Sequence, residues 1–328
     1  MDVYIRSLGA FLPPQVVTND DIVARTGGTA QWIVEHTGIV ERRFVAPGMT
    51  NSMMAEHAAR DALSEGKLAA SDLDALIFAT LSPDAGFPGS GVFLQRHLGI
   101  AGVPALDVRN QCSGFLYGLS IAKAWLTSRT YSRLLLVGSE IQSTGLDFSE
   151  AGRSVASLFG DGAGAAVLDT TSTTGGRVVD VRLGADGKGA EALWCELPAS
   201  GLHPNIDATY LAEGRQFPQM QGRTVFRRAV ETLERELNAL LRDHQLAPQD
   251  VLLVPHQSSK FLNGRCKRVE FLLHNIVSTI EHYGNTTAAS LPIGLHHASQ
   301  TGRLAGPVVL AAFGSGYTWG SALLEWPT

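Results

Sequence analysis

Short apolar runs and helical repeats alternate along most of the chain, and this alternation predicts an α/β fold. DALIFAT (74–80), RLLLVGSE (133–140) and AGAAVLD (163–169) are near-continuous hydrophobic runs, the pattern of strands covered on both faces. Residues 54–63 read as a helix ahead of the first run. The clearest helix spans 224–241. There Val225, Phe226, Ala229, Val230, Leu233, Leu237, Leu240 and Leu241 share one face, opposite Arg227, Arg228, Glu231, Glu234 and Arg235. Val103, Leu106 and Val108 read as a short buried strand. Phe115, Leu119, Ala122 and Leu126 follow at spacings of four, three and four, the period of one helix face.

The pattern occurs twice. LAASDLDALIFATLS, from Leu68, is echoed by LAPQDVLLVPHQSS, from Leu246, and Asp74 and Asp250 each open an apolar strand, 176 residues apart. RLLLVGSE has a looser counterpart in PVVLAAFGSG (307–316). A repeat of about half the chain predicts a duplicated α/β domain, with halves at 1–172 and 173–328. The small, polar DTTSTTGG marks the seam. Residues 194–220 carry Pro and Gly without periodicity and are expected to form a long loop or cap near a substrate entrance.

Composition narrows the function. Of 328 residues, 45% are hydrophobic and 17% charged, enough for a sizeable core. The formal charge of −5 argues against a nucleic-acid surface. No run of 18 apolar residues suggests a membrane span, and MDVYIRSLGAFLPPQ does not have the layout of a signal peptide. The three cysteines, Cys112, Cys195 and Cys266, are far apart and odd in number. That suits a reducing cytoplasm and neither a disulfide framework nor a zinc cluster.

Candidate chemistry centres on Cys112, in LDVRNQCSGFLYGLSIA (106–122). It is placed at a strand-to-helix turn, where unpaired N–H groups and the helix dipole favour a thiolate and can hold an oxyanion. Three further motifs lie in the second half. VPHQSS (254–259) sets His256 directly after a strand, EHYGNTTAASLPIGL (281–295) sets Asn285 in a Gly-Asn turn, and FGSGYTWGSALLEW (313–326) is a Gly-rich turn between two strand-like runs. Each alone is ordinary: a core cysteine, a satisfied histidine, a turn asparagine, a bend. GDGAGA (160–165) lacks the full G-x-G-x-x-G pattern of a dinucleotide site.

Taken together and in order, with WIVEHTGIVERR (32–43) and LFGDGAGAAVL (158–168), these motifs resemble the β-ketoacyl-acyl carrier protein synthase III branch of the thiolase superfamily. The resemblance covers almost the whole chain. It implies two similar α/β halves stacked as a five-layered αβαβα sandwich, and a homodimer. It also implies that Cys112 takes an acyl group from acyl-coenzyme A, with the oxyanion held by the N–H groups of Cys112 and Ser315. The family normally has Gly at the latter position, so a left-handed backbone at Ser315 would be strained. His256 and Asn285 would donate to the enolate formed when malonyl-acyl carrier protein loses carbon dioxide. Biosynthetic thiolases instead use a second cysteine in the Gly-rich turn, and GSG has none, which favours decarboxylation.

By the same resemblance, Trp32 and Arg153 would sandwich the adenine of coenzyme A. His36 stands where the family commonly has Arg, removing a permanent charge there. Phe87 would line the acyl pocket of the dimer partner and favour short chains. Lys260, Arg265, Lys267 and Arg268 would dock an acidic carrier protein, although PHQSSKFL replaces the family's PHQANxRI. No metal or cofactor is implied beyond the two substrates. The alternatives are an acyltransferase serving a hydroxyl or amine acceptor, and a non-catalytic acyl-binding subunit. The presence of Cys112, His256 and Asn285 speaks against the latter.

Overall fold

The computed structural model describes residues 1–172, 174–259 and 273–328. The strands are β1 (Tyr4–Phe11), β2 (Gln15–Thr18), β3 (Glu41–Phe44), β4 (Ala75–Ala79), β5 (Ala105–Val108), β6 (Arg133–Glu140), β7 (Gly162–Asp169), β8 (Gly176–Ala185), β9 (Leu193–Trp194), β10 (Gln219–Met220), β11 (Leu252–Pro255), β12 (Gly306–Gly314) and β13 (Thr318–Trp326). The α-helices are α1 (Asn19–Thr26), α2 (Ala30–Thr37), α3 (Asn51–Glu65), α4 (Ser90–Leu98), α5 (Gly114–Thr127), α6 (Arg153–Ala156), α7 (Ala208–Ala212), α8 (Gly222–Asp243), α9 (Ile280–Tyr283) and α10 (Ser290–Gln300).

Nine strands form one sheet in the order β11-β12-β13-β8-β1-β7-β6-β4-β5. It is two sheets of the same plan, joined where β1 meets β8: Tyr4 pairs with Arg177, Ile5 with Gly176, and Val178 N–H donates to Val3 O at 2.8 Å. In the first, β4 runs parallel to β5 and β6, and β7 antiparallel to β6 and β1. In the second, β11 runs parallel to β12, and β13 antiparallel to β12 and β8. Ile276 bridges Leu253 in parallel, in the place that β5 holds beside β4. The echo at Asp74 shifts by two residues. Asp72, not Asp74, is the equivalent of Asp250, because each closes a single 3-10 turn ahead of its strand. Asp74 instead accepts the N–H groups of Ser132 and Arg133.

The alternation of side chains along each strand feeds two cores. In β6, Leu134 and Leu136 join the central core while Leu135 and Val137 join an outer one. In β12, Val308, Leu310 and Ala312 face the centre and Val309, Ala311 and Phe313 the other outer core. Both faces are covered, hence the continuous apolar runs in the sequence. Helices α5 and α10 lie between the two sheets, α3 and α4 cover the first, and α8 covers the second, giving the αβαβα layering. Phe115, Leu119, Ala122 and Leu126 are fully buried on α5, and large apolar side chains of this kind contribute roughly 1.5–3 kcal/mol each.

Two expectations change in detail. Val103 lies outside β5, and β5 is only partly buried because it forms the sheet edge. Residues 194–220 are not a plain loop: β9 pairs with β10, α7 lies between them, and Arg215 Nε holds Glu196 at 2.7 Å.

Candidate active site

A cavity of about 750 Å³ is walled by Cys112, Thr287 and Ser315, by the 81–86 segment after β4, and by Trp194, Cys195, Leu197 and Pro198. Cys112 reaches it through a local kink. The chain leaves β5, Gln111 adopts a left-handed φ of 42°, and Gln111–Ser113 makes one 3-10 turn before α5 begins. A non-glycine residue at positive φ is uncommon and marks a held, strained turn. Cys112 is thus set at the head of α5, 6% exposed.

The thiolate expected from that position is not what the surroundings favour. Burial, and next the nearby charge of Glu140, push the Cys112 thiol up to about 12, while its own backbone N–H works the other way. Desolvation outweighs the helix start, so the resting group is the neutral thiol.

The hairpin between β12 and β13 closes over Cys112. A Cβ placed on Gly314 would lie 2.9 Å from the Cys112 Cβ and 3.2 Å from its backbone nitrogen, so only glycine fits. The strain expected at Ser315 is absent, because the positive φ falls on Gly316, at 127°. The Ser315 carbonyl accepts from Thr318 Oγ1 at 3.0 Å, and Thr318 Oγ1 lies 2.8 Å from Ser113 Oγ. One pair of hydroxyls therefore cross-links the hairpin to the head of α5. The Ser315 N–H has no acceptor among the described residues.

His256 follows β11, its N–H donating to Ala311 O at 2.7 Å. Its Nδ1 is 2.6 Å from Ser290 Oγ, and its buried Nε2 has no partner among the described residues. Burial pushes the imidazole down to about 4, so it is neutral near pH 7. Asn285 is pinned by its backbone, N–H to Leu158 O at 2.8 Å and O from Gly160 N–H at 3.1 Å. Its Oδ1 accepts the Thr287 N–H at 2.9 Å, which turns its NH₂ the other way. Thr287 has a left-handed φ of 45°, and its carbonyl accepts Ser290 Oγ–H at 2.9 Å. Asn285 and His256 are thus held from opposite ends of Thr287, and of these three only Thr287 is in the cavity lining.

The other sequence candidates scatter. Arg153 Nε donates to Thr26 O at 3.0 Å, and its side chain lies along Gly27 and Gly28. Trp32 stacks on His36, with ring centroids 4.5 Å apart, so one indole face is already covered. Neither Trp32 nor Arg153 lines the cavity. Phe87 is 90% exposed and does not line its own chain's cavity, although Ala85 and Gly86 do. Lys260, Arg265, Lys267 and Arg268 lie outside the described residues, as does Cys266. Cys112 and Cys195 are free thiols. Among the described residues no cluster of His, Cys, Asp and Glu could hold a metal, and no helix is long and apolar enough to cross a membrane. Sequence reasoning missed Glu140 and Thr287. Glu140 ends an apolar strand yet is fully buried, and a charge so placed was the available signal.

Comparison with known proteins agrees with this geometry. Residues 106–187 match the family model 3-oxoacyl-[acyl-carrier-protein] synthase III, and residues 241–326 match its C-terminal model. The chain is 38% identical over 326 residues to the β-ketoacyl-[acyl-carrier-protein] synthase III of Methylococcus capsulatus, covering 98% of each protein. It is 36% identical to that of Helicobacter hepaticus, covering 98% of this chain and 96% of the relative. The crystal structure of 3-oxoacyl-[acyl-carrier-protein] synthase III from Aquifex aeolicus VF5 superposes with a TM-score of 0.89 at 33% identity, over 99% of this chain and 100% of the other. The priming β-ketosynthase of the R1128 polyketide pathway superposes at 0.88 with 28% identity, over 99% and 96%.

Proposed function

The chain belongs to the 3-oxoacyl-[acyl-carrier-protein] synthase III family, and on that footing we propose the residue roles that follow. It is a condensing acyltransferase of the β-ketoacyl-acyl carrier protein synthase III type. One observation carries the assignment of the centre. Cys112 and the unpaired Ser315 N–H share a cavity wall with Thr287, whose two ends hold Asn285 and His256.

In the first half-reaction the Cys112 sulfur attacks the carbonyl of an acyl-coenzyme A. Cys112 gives up its proton, the leaving coenzyme A sulfur gains one, and net charge is unchanged. The developing oxyanion lies between the N–H groups of Cys112 and Ser315. Their spacing is set beforehand by the Ser113–Thr318 cross-link, which is why no donor has to move as charge builds.

In the second half-reaction the carboxylate of a malonyl thioester leaves as carbon dioxide, and the electron pair passes into an enolate. Asn285 Nδ2 and His256 Nε2 hydrogen-bond the enolate oxygen. A donor at Nε2 requires the ring proton there. The Ser290 hydroxyl supplies that state when it turns its single proton from Thr287 O, at 2.9 Å, to Nδ1, at 2.6 Å. The imidazole stays neutral, so neither group removes a proton from carbon. The enolate carbon then attacks acyl-Cys112, the C–S bond breaks, the Cys112 sulfur takes up one proton from solvent, and a β-ketoacyl thioester is released.

Malonyl is carried by acyl carrier protein, docked through Lys260, Arg265, Lys267 and Arg268, and Trp32 and Arg153 take the adenine of coenzyme A. The enzyme acts as a cytoplasmic homodimer in which Phe87 enters the partner's cavity. The full exposure of so large an apolar side chain supports that role.

Incubation with acetyl- to decanoyl-coenzyme A, followed by mass analysis of the Cys112 peptide, tests the first step. Release of carbon dioxide from malonyl-carrier protein tests the second. Asn285→Ala should keep acylation and lose condensation. Acylation without carbon dioxide release would favour transfer to a hydroxyl or amine acceptor instead.

A further inference from the structure

The mechanism leaves the buried Glu140 unused. Glu140 closes β6 beneath the cavity. Its carboxylate accepts Ser82 Oγ–H at 2.6 Å, Thr80 Oγ1–H at 3.1 Å, and the N–H groups of Leu81 and Ser82 at 3.2 Å each. All four donors come from the segment leaving β4, and Leu81 and Ser82 are cavity wall. From the other side, the Thr287 hydroxyl faces the same carboxylate and counters the upward push of burial on it. Gln142 Nε2 approaches both groups, 3.4 Å from Glu140 and 3.5 Å from Thr287 Oγ1.

We propose that Glu140 is a positioning residue that fastens the Leu81–Ser82 wall of the acyl cavity to the Thr287 turn, so that the acyl chain and the Asn285–His256 pair are held in one register. This rests on the function proposed above and adds a residue to it. A carboxylate taken out of water is tolerated only where hydrogen bonds replace its hydration. Here its donors come from the Thr80–Ser82 segment and from Gln142, and Gln142 also reaches Thr287 Oγ1. Thr287 has the greater need of an anchor, since its left-handed backbone has to be held by its surroundings. Its N–H goes to Asn285 and its carbonyl to Ser290, so the hydroxyl is the group free to fix it from outside that pair.

The test is a double-mutant cycle on malonyl-carrier protein decarboxylation, with acyl-coenzyme A KM and kcat measured alongside. Glu140→Gln keeps the shape but replaces one accepting oxygen with an NH₂. Thr287→Val removes the hydroxyl, and Thr287→Ser keeps it. Thr287→Val should slow decarboxylation by about tenfold in the otherwise native enzyme, but by less than about twofold in Glu140→Gln, with Thr287→Ser close to native. Equal fold-effects in both backgrounds would overturn the proposal, because a merely structural Glu140 gives additive losses. If Glu140→Gln does not fold, Ser82→Ala combined with Thr287→Val replaces it. Ser82 donates to Glu140 but has no hydrogen bond to Thr287, so coupling between the two supports the link and additivity refutes it. A native enzyme that is neither acylated nor releases carbon dioxide would overturn the function itself, an outcome distinct from an active enzyme with additive variants.

Discussion

Gly314→Ala isolates how closely the hairpin is fitted to the nucleophile. The added methyl would meet the Cys112 Cβ at 2.9 Å, its nitrogen at 3.2 Å and its Sγ at 3.4 Å. Ordinary contact begins at 3.4 Å, so the hairpin and the head of α5 must part by about half an ångström. Neither side gives easily, since one is backbone in a sheet and the other the start of a buried helix. Overpacking of this size costs about 1–3 kcal/mol, seen as a fall of several degrees in Tm. The catalytic effect should be larger than the stability effect. The displacement separates the Ser315 N–H from the Cys112 N–H, and misplacement of about 1 Å costs on the order of 10²-fold. Acylation of Cys112 by acetyl-coenzyme A, followed by intact mass at a temperature where the variant is fully folded, should slow by about ten- to a hundredfold. Gly187→Ala is the control, because a Cβ there meets nothing within 4 Å. A folded Gly314→Ala protein that acylates at the native rate would refute the view that the hairpin fixes the oxyanion donors.

Other outcomes follow from the same geometry. Thr318→Val cuts the link between Ser113 and the Ser315 carbonyl, and should lower the acylation rate by about tenfold while costing about 1 kcal/mol in urea unfolding. Alkylation of Cys112 by iodoacetamide should rise about tenfold per pH unit from pH 7 to 10 with no plateau, since the thiol is pushed up to about 12; a plateau near pH 8 would show that the helix start prevails after all. Burial pushes the Glu140 carboxyl up to about 7 from 4.5, so the folded state holds this proton more tightly than the unfolded one. The resulting penalty on folding is absent below about pH 4.5, grows as pH rises towards 7, and is complete above it. The Tm of Glu140→Gln relative to the native protein should therefore rise across that interval, and a difference that does not vary with pH would remove the assigned shift.

The layers were legible because the runs at 74–80, 133–140 and 163–169 have no polar face to spare, and only a sheet covered on both sides accepts them. The turn positions of Cys112, His256 and Asn285 were legible, after a strand for the first two and in a Gly-Asn turn for the third, while the roles given to them rest on the resemblance. What stayed hidden depends on long-range burial. The thiol's upward shift needs the fully folded surroundings and the Glu140 charge from another strand. Thr287 looks like an ordinary turn residue until its φ is known, because left-handed threonine has no sequence mark. The position of Trp32 against His36 follows from a four-residue helix spacing that was visible, whereas Phe87 is exposed and its surroundings have no sequence mark.

The division of the site between the connections of two sheets gives the catalyst an all-or-nothing character. The nucleophile and its acyl wall come from one sheet's connections, and the oxyanion donor, the imidazole and the amide from the other's. The central core draws on both sheets, so each half expressed separately would leave one face of its strands uncovered and contain no working site, and mixing the two should restore turnover only in proportion to complex formed. Activity in this architecture reports on assembly of both halves.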